Sequence, residues 1–205
     1  MSIVKLNNNG VKNATAFGSI SSLGSMTFIK KLTASSSSTL SFVDGSSGVV
    51  LDNTYKEYLF TFKNIHPETD ETQFQFNMSV DSGSNYNVTK TTTYFYAAHS
   101  EGDATEFTYR APKDLAQSTS FQDLVQGTGA DNDQCSTGYL HLFNPSSTTF
   151  VKHFIVRTSD YNANNYAIDS YIAGYGNTTS AVDAIQFKMS SGNIDAGDIC
   201  LYGIA

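Results

Sequence analysis

The residue types in this chain that could do chemistry are four histidines, many serines and several loop carboxylates, and no catalytic motif organises them. The Gly-Xaa-Ser-Xaa-Gly turn that presents a nucleophilic serine is missing, as are a phosphate-binding loop and a dinucleotide fingerprint. The histidines have none of the short spacings of metal ligands; they are His66, His99, His141 and His153. We therefore expect a protein that is not an enzyme, with no catalytic residue, no bound metal and no cofactor.

His141 and His153 are the best pair among these histidines, because they lie on predicted strands joined by the turn Asn144–Ser147. A four-residue loop places His141 opposite Phe150, which puts the two histidines on opposite faces of the sheet. A one-residue bulge would bring them to the same face, so a shared role depends on the register of the strands.

Two acidic loops, Asp131–Asp133 and Asp195–Asp198, each carry two carboxylates two or three residues apart. Calcium accepts such oxygens, but no acidic residue occupies the twelfth position after Asp131, so the helix-loop-helix calcium pattern fails. We favour ordinary turns in which aspartate bonds its own backbone, and calcium stays an alternative.

Glycoside hydrolysis needs two carboxylates across a groove, and nothing in the sequence selects a pair from the candidates. These candidates are Asp70, Glu71, Glu101, Asp103 and Glu106.

One loop has the composition of a sugar-binding surface. Tyrosine rings stack on sugar rings, and asparagine side chains both donate to and accept from hydroxyl groups. The candidate glycan contacts are Tyr161, Asn162, Asn164, Asn165 and Tyr166. The alternative is an ordinary hairpin loop whose tyrosines fold onto the sheet.

The elements that must position these groups are β-strands. Alternating apolar and polar residues, as in Tyr55–Lys63 and Gln73–Val80, predict strands with one buried face. About ten such segments follow one another, separated by Gly, Ser, Asn and Asp clusters, and a short helix near Ser118–Val125 is the one exception that we predict. The pattern predicts an all-β protein with a single antiparallel β-sandwich, jelly-roll-like, over residues 26–205.

Composition limits the partners. The chain has 205 residues, of which only 15% are charged, and a net charge of −7 without any cluster of basic residues, which argues against a nucleic-acid partner. Neither an apolar signal-peptide core nor an eighteen-residue apolar stretch is present, so we expect no membrane insertion. Cys135 and Cys200 form no disulfide framework; we interpret Cys200 as a small buried residue, and a Cys135–Cys200 bridge stays open.

Residues 1–25 differ from the rest of the chain. Turn-forming residues alternate with isolated apolar ones, a pattern too apolar for a solvated linker and too broken for a helix. We predict an extended N-terminal arm that docks onto a partner, and a disordered leader is the alternative. The predicted docking residues are Val4, Leu6, Val11, Phe17 and Ile20.

Three long segments carry a family resemblance: Tyr55–Pro67, Leu142–Phe154 and Ala173–Phe187. They resemble a group of virion structural proteins from tailed phages of marine bacteria, cyanophages among them, and the resemblance covers about residues 25–204. It implies a non-enzymatic β domain carried on the particle, and it does not separate capsid decoration from tail fibre.

We therefore expect a phage virion structural protein on the particle exterior, a capsid decoration or cement protein or a tail-fibre component. It would dock onto other virion proteins through its N-terminal arm, act as a homotrimer, be made in the host cytoplasm and be released by lysis. The alternative function is a carbohydrate-binding β-sandwich module with its site at the Tyr161–Tyr166 loop. The virion role and the carbohydrate-binding role apply together if the protein lies at a fibre tip and binds a host surface glycan.

Overall fold

A computed structural model describes residues 26–205, which form twelve β-strands and one short 3-10 turn. The strands are β1 Met26–Ser37, β2 Leu40–Val43, β3 Glu57–Pro67, β4 Phe74–Ser79, β5 Lys90–Ser100, β6 Thr105–Tyr109, β7 Gln122–Asp123, β8 Ser136–Phe143, β9 Lys152–Tyr161, β10 Tyr166–Gly176, β11 Ala184–Met189 and β12 Ile194–Ile204. The 3-10 turn spans Ala111–Lys113. Within residues 26–205, no helix is long and apolar enough to cross a lipid bilayer.

The strands form two antiparallel sheets. The large sheet has the order β1-β12-β3-β8-β9-β10-β5-β6, and the small sheet has the order β2-β11-β4-β7. Four strands of the large sheet, β1-β12-β3-β8, and the four strands of the small sheet form an eight-stranded core. The chain changes sheet at each step from one of these eight strands to the next, except from β4 to β7, which both lie in the small sheet. This nested antiparallel order is that of a jelly roll. The predicted antiparallel sandwich is therefore confirmed.

Two hairpins are inserted into this eight-stranded core. The hairpin β5–β6 lies between β4 and β7, and the hairpin β9–β10 lies between β8 and β11. The two hairpins meet because β10 pairs with β5 along its whole length, from Tyr166↔Ser100 to Gly176↔Lys90. They widen the large sheet from four strands to eight, so that it extends beyond the small sheet.

The core is a cluster of phenylalanine rings between the two sheets. Phe187 of β11 is fully buried, and its ring lies 5.6 Å from that of Phe60 and 5.3 Å from that of Phe62 on the large sheet. On the small sheet it stacks on Phe74 at 5.6 Å with 17° between the ring planes. Aromatic pairs in edge-to-face and offset geometry add to the free energy gained from apolar burial.

Each of the ten strands predicted from the sequence overlaps a strand of the structure, but two strands were missed and one helix was wrong. β6 and β7 were not predicted, and the segment Ser118–Val125 contains β7 instead of a helix. A two-residue strand is too short to show a periodicity, so its hydrogen bonds to β4 could not be inferred locally. The predicted N-terminal arm, with Val4, Leu6, Val11, Phe17 and Ile20, lies outside the described residues.

Candidate functional site

A pocket of about 520 Å³ opens on the inner face of the large sheet, where the inserted hairpins extend past the small sheet. Tyr96 and Ala98 of β5 and Ile168 of β10 form its floor, since they belong to the inward-facing rows of their strands. The loop after β7 closes one side with Gln126 and Gly127. The pocket thus lies among elements far apart in the sequence.

The β9–β10 turn forms another wall of this pocket. Asn162 holds the turn, because its side-chain Oδ1 accepts hydrogen bonds from the backbone N–H of Asn164 at 3.1 Å and of Tyr166 at 2.9 Å. This is an Asx turn, in which a short polar side chain replaces a backbone acceptor. Asn165 adopts a left-handed conformation with φ of 60°, which asparagine tolerates better than most residues. The turn fixes Asn162, Asn164 and Tyr166 along the pocket rim.

Two tyrosines give the pocket its aromatic surface. Tyr96 is almost buried on the floor, and Tyr166 lies partly exposed at the side. Burial and the nearby Glu106 carboxylate together raise the pKa of Tyr96 to about 12, although Arg110 acts in the opposite direction. Tyr96 is therefore a neutral phenol at physiological pH, which can both donate and accept a hydrogen bond.

Charged groups of both signs complete the lining. Glu71 accepts a hydrogen bond from the side-chain amide of Asn164 at 2.5 Å, so that its carboxylate is already oriented. Glu106 of β6 and Arg110, which follows β6, are exposed residues that line the same pocket. Within residues 26–205, the Arg110 guanidinium is in no ion pair. Arg110 is thus available to a ligand.

This combination of groups fits a polyhydroxylated ligand. Two tyrosines offer ring faces and hydroxyls, two asparagines offer amides, and the charged side chains accept and donate strong hydrogen bonds. Glu71 and Glu106 also belong to the carboxylates that the sequence offered for glycoside hydrolysis, and the structure places these two in one pocket.

The structure divides the five candidate glycan contacts between two sides of the sheet. Asn162, Asn164 and Tyr166 line the inner pocket. Tyr161 and Asn165 line a separate groove on the other side of the turn, where the Tyr161 hydroxyl donates to Asn165 Oδ1 at 3.0 Å. The five residues therefore do not form a single surface, because Tyr161 ends β9 in the outward-facing row.

Tyr96, Arg110 and Gln126 of the pocket were missed from the sequence, and Glu106 was considered only as one of several carboxylates for glycoside hydrolysis. Tyr96 was visible only as part of an aromatic strand, and the strand that carries Glu106 was not predicted. The pairing Ala98↔Glu106 places Glu106 on the inward side, and this register could not be derived from the sequence.

The histidine pair follows a different register from the one predicted. His141 lies opposite Ile155, because the connection between β8 and β9 runs over eight residues and not four. This shift puts His141 and His153 on the same outer face, so the prediction of opposite faces was wrong. His141 Nε2 lies 2.9 Å from Glu57 Oε2, and His153 packs near the Tyr175 ring.

The two acidic loops meet at one surface depression. Asp133 and Asp195 both line it, together with His66. Among residues 26–205, however, no three His, Cys, Asp or Glu side chains converge as a metal site.

The two cysteines, Cys135 and Cys200, are free thiols. Cys200 is half-buried, whereas the sequence predicted a buried residue.

A buried carboxyl lies next to the main pocket. Asp160 belongs to the inward-facing row of β9 and lies near the end of that strand. It is 2% exposed, and neither of its carboxyl oxygens has a well-formed hydrogen bond within the described residues. Burial raises the pKa of Asp160 to about 7, although the backbone amides of Gln126 and Gly127 and the charge of Lys113 act in the opposite direction. The Gln126–Gly127 segment lines the main pocket and thus separates that pocket from the Asp160 carboxyl.

The fold and the pocket define an antiparallel β-sandwich with jelly-roll strand order and a polar, aromatic-lined recess. Comparison of the chain with models of protein families, with curated proteins and with solved structures gives no match.

Proposed function

We propose that this protein is a non-enzymatic structural protein on the exterior of a phage virion, either a capsid decoration or cement protein or a tail-fibre component. It is made in the host cytoplasm, released by lysis and carried on the particle. It docks onto other virion proteins through residues 1–25 and acts as a symmetric homo-oligomer, for which a trimer is our prediction from the sequence.

The strand order carries this proposal. Eight strands in the orders β1-β12-β3-β8 and β2-β11-β4-β7 form a jelly roll, an architecture that recurs in viral capsid and lectin domains. The support is at the level of architecture, since one fold hosts many functions. The resemblance of residues 25–204 to marine phage virion proteins points the same way.

Antibody-gold labelling of intact particles in the electron microscope tests the proposal. Antibodies against residues 26–205 should label the particle surface, over the capsid for a decoration protein or only on the tail for a fibre protein. Antibody pre-adsorbed with the purified protein is the control. If the protein is present in the lysate but the antibody labels neither intact nor disrupted particles, the virion role is refuted.

The docking role of the N-terminal arm has its own test. A chain that lacks residues 1–24 should fold with the same circular dichroism spectrum and thermal midpoint as the full chain, and it should fail to bind particles that lack the protein. Full binding by the truncated chain would contradict the docking role, and so would loss of folding.

The alternative, a carbohydrate-binding module, is favoured by the pocket at the β9–β10 turn. Its tyrosine, asparagine and arginine side chains converge around about 520 Å³, enough for a sugar unit or two. A glycan array followed by titration at millimolar sugar would detect even the weak affinity that is usual for single sugars. No binding to any glycan under these conditions would refute the lectin role.

One loop provides a matched pair of variants for that titration. Tyr166→Ala removes a pocket wall and should weaken binding about tenfold or more, whereas Tyr161→Ala changes the same residue type on the other side of the sheet and should leave affinity unchanged. Arg110→Ala, at an exposed residue, tests the pocket without disturbing the core. Equal effects of the two tyrosine substitutions would place the site elsewhere.

A further inference from the structure

The outer face of strands β8, β9, β10, β5 and β6 has an unusual composition for a solvent-facing sheet surface. The outward positions are set by register, and one cross-strand row runs Tyr139↔Arg157↔Tyr171↔Phe95↔Tyr109. We call this row the aromatic ridge. Outer faces of antiparallel sheets are normally polar, so a row of four aromatic rings across five strands requires an explanation.

The rings of the aromatic ridge are ordered against one another. Phe95 and Tyr171 are stacked, with ring centroids 4.9 Å apart and planes 2° apart. The Arg157 guanidinium lies 5.0 Å from the centre of the Tyr171 ring and makes two hydrogen bonds to Asp169, at 3.0 and 2.7 Å. Side chains fixed in this way lose little conformational entropy when a partner covers them.

Exposed apolar side chains extend the ridge into a continuous face. Phe107 of β6 is 74% exposed, Tyr109 is 53% exposed and Ile155 of β9 is 50% exposed. A groove of about 500 Å³ runs along one side of the ridge over Thr93 and Ala173. A second groove, of about 260 Å³, runs along the other side over Ala97 and Ala167.

The charge of this face differs from that of the whole chain. Arg157 and Asp169 are the only Lys, Arg, Asp or Glu residues at outward positions of these five strands, and they pair with each other. The chain as a whole carries a net charge of −7. Two copies can therefore meet at this face without the repulsion that their other surfaces would produce.

We propose that this outer face is a contact surface for a second copy of the same chain. A ridge flanked by two grooves of small residues is complementary to itself, because the ridge of one copy fits a groove of the other; such a contact pairs two copies about a two-fold axis and is distinct from the contacts of the trimer predicted from the sequence. Five strands spaced about 4.8 Å apart and about seven residues long cover roughly 550 Å² in projection. Side-chain relief raises this area towards the about 800 Å² per partner that a stable interface buries.

A glycan fits this face less well than a protein does. Sugars stack on exposed ring faces, whereas the faces of Phe95 and Tyr171 are occupied by each other. The face is also open to solvent and nearly uncharged, unlike the recessed polar pocket on the inner side.

Sedimentation velocity of the full-length protein at about 1 to 100 μM tests the proposal. The wild type should form an oligomer whose mass depends on concentration. Ile155→Glu and Phe107→Glu should each weaken its association at least tenfold, because each buries an unpaired charge in the contact. Val80→Glu, at a 39%-exposed residue next to the small sheet, is the matched control and should associate like the wild type.

Thermal midpoints and circular dichroism establish that all three variants fold. A wild-type chain that stays monomeric at 100 μM overturns the proposal, as does an oligomer that the two face substitutions leave intact. If deletion of residues 1–24 converts a monomer into an oligomer, the arm and not a second copy covers the face. Particle labelling tests the virion role separately, so failure of one proposal is distinguishable from failure of the other.

Discussion

Replacing Asp160 with asparagine should remove a large pH dependence from the stability of this protein. The carboxyl is 2% exposed, and burial raises its pKa from the ordinary 3.8 to about 7 in the folded state. The folded protein therefore holds a proton between pH 3.8 and 7 that the unfolded chain has released. Since stability falls with pH wherever the folded state binds more protons, this group favours folding most below pH 3.8. Its contribution declines as the pH rises and is fully lost above about pH 7.

The magnitude follows from the size of the shift. At 1.36 kcal/mol per pKa unit, complete ionisation of Asp160 lowers the free energy of unfolding by about 4 kcal/mol. An asparagine side chain has nearly the same shape as the protonated acid and never ionises. We therefore expect Asp160→Asn to match the wild type near pH 4 and to exceed it by up to about 4 kcal/mol at pH 8.

Urea unfolding at pH 4, 6 and 8, followed by tyrosine fluorescence, measures this difference. Other titrating groups are common to both proteins and cancel in the comparison. Asp133→Asn, at an exposed loop carboxyl, is the control and should show no such trend. If the stability difference between wild type and Asp160→Asn is the same at all three pH values, the argument from burial is wrong.

Three further predictions concern the core and the thiols. Phe187→Ala should lower the free energy of unfolding by about 3–5 kcal/mol in urea, because it removes the ring at the centre of the phenylalanine cluster, whereas Phe150→Ala, at a 69%-exposed loop residue, should change it by about 0.5 kcal/mol or less. Burial lowers the pKa of Lys90 from 10.5 to about 7, so the charged side chain destabilises the wild-type fold near pH 6. Lys90→Met should therefore raise the free energy of unfolding at pH 6, and this gain over the wild type should shrink as the pH rises towards 10.5 in the same assay. Cys135 and Cys200 should both react with a thiol reagent in denaturant without prior reduction, and reductant should leave the thermal midpoint unchanged.

The strands could be predicted because each carries its own signal. Phe74, Phe76 and Met78 alternate in the sequence and are all buried in β4. The same alternation failed at Val80, which is 39% exposed because the strand ends at Ser79. Period-two patterning identifies a strand and its buried face, but the pattern does not contain the position where pairing stops.

The register of the strands and the order in which they pair could not be predicted from the sequence, and both the inner pocket and the aromatic ridge depend on them. The histidine faces were wrong because the length of the β8–β9 connection sets the register, and a proline-containing turn sequence does not fix that length. The aromatic ridge was not recognised, since its residues come from five strands. Tyr139 and Tyr109 look like isolated aromatics until the pairings Tyr139↔Arg157 and Phe95↔Tyr109 align them.

Both candidate surfaces are built mainly by the two hairpins that are inserted into the jelly roll. The inner pocket takes its floor from β5 and β10 and its rim from the β9–β10 turn, and the outer face lies on β9, β10, β5 and β6 together with β8. The eight core strands bury the phenylalanine cluster and hold the inserted hairpins side by side, because β8 pairs with β9 and β10 then pairs with β5. Recognition is thus assigned largely to the inserted hairpins, whose inward rows, with Phe154, Val156 and Ile172, also belong to the buried core. Substitutions in the ridge or pocket should accordingly alter association or binding while the fold persists, whereas substitutions in the phenylalanine cluster should affect both.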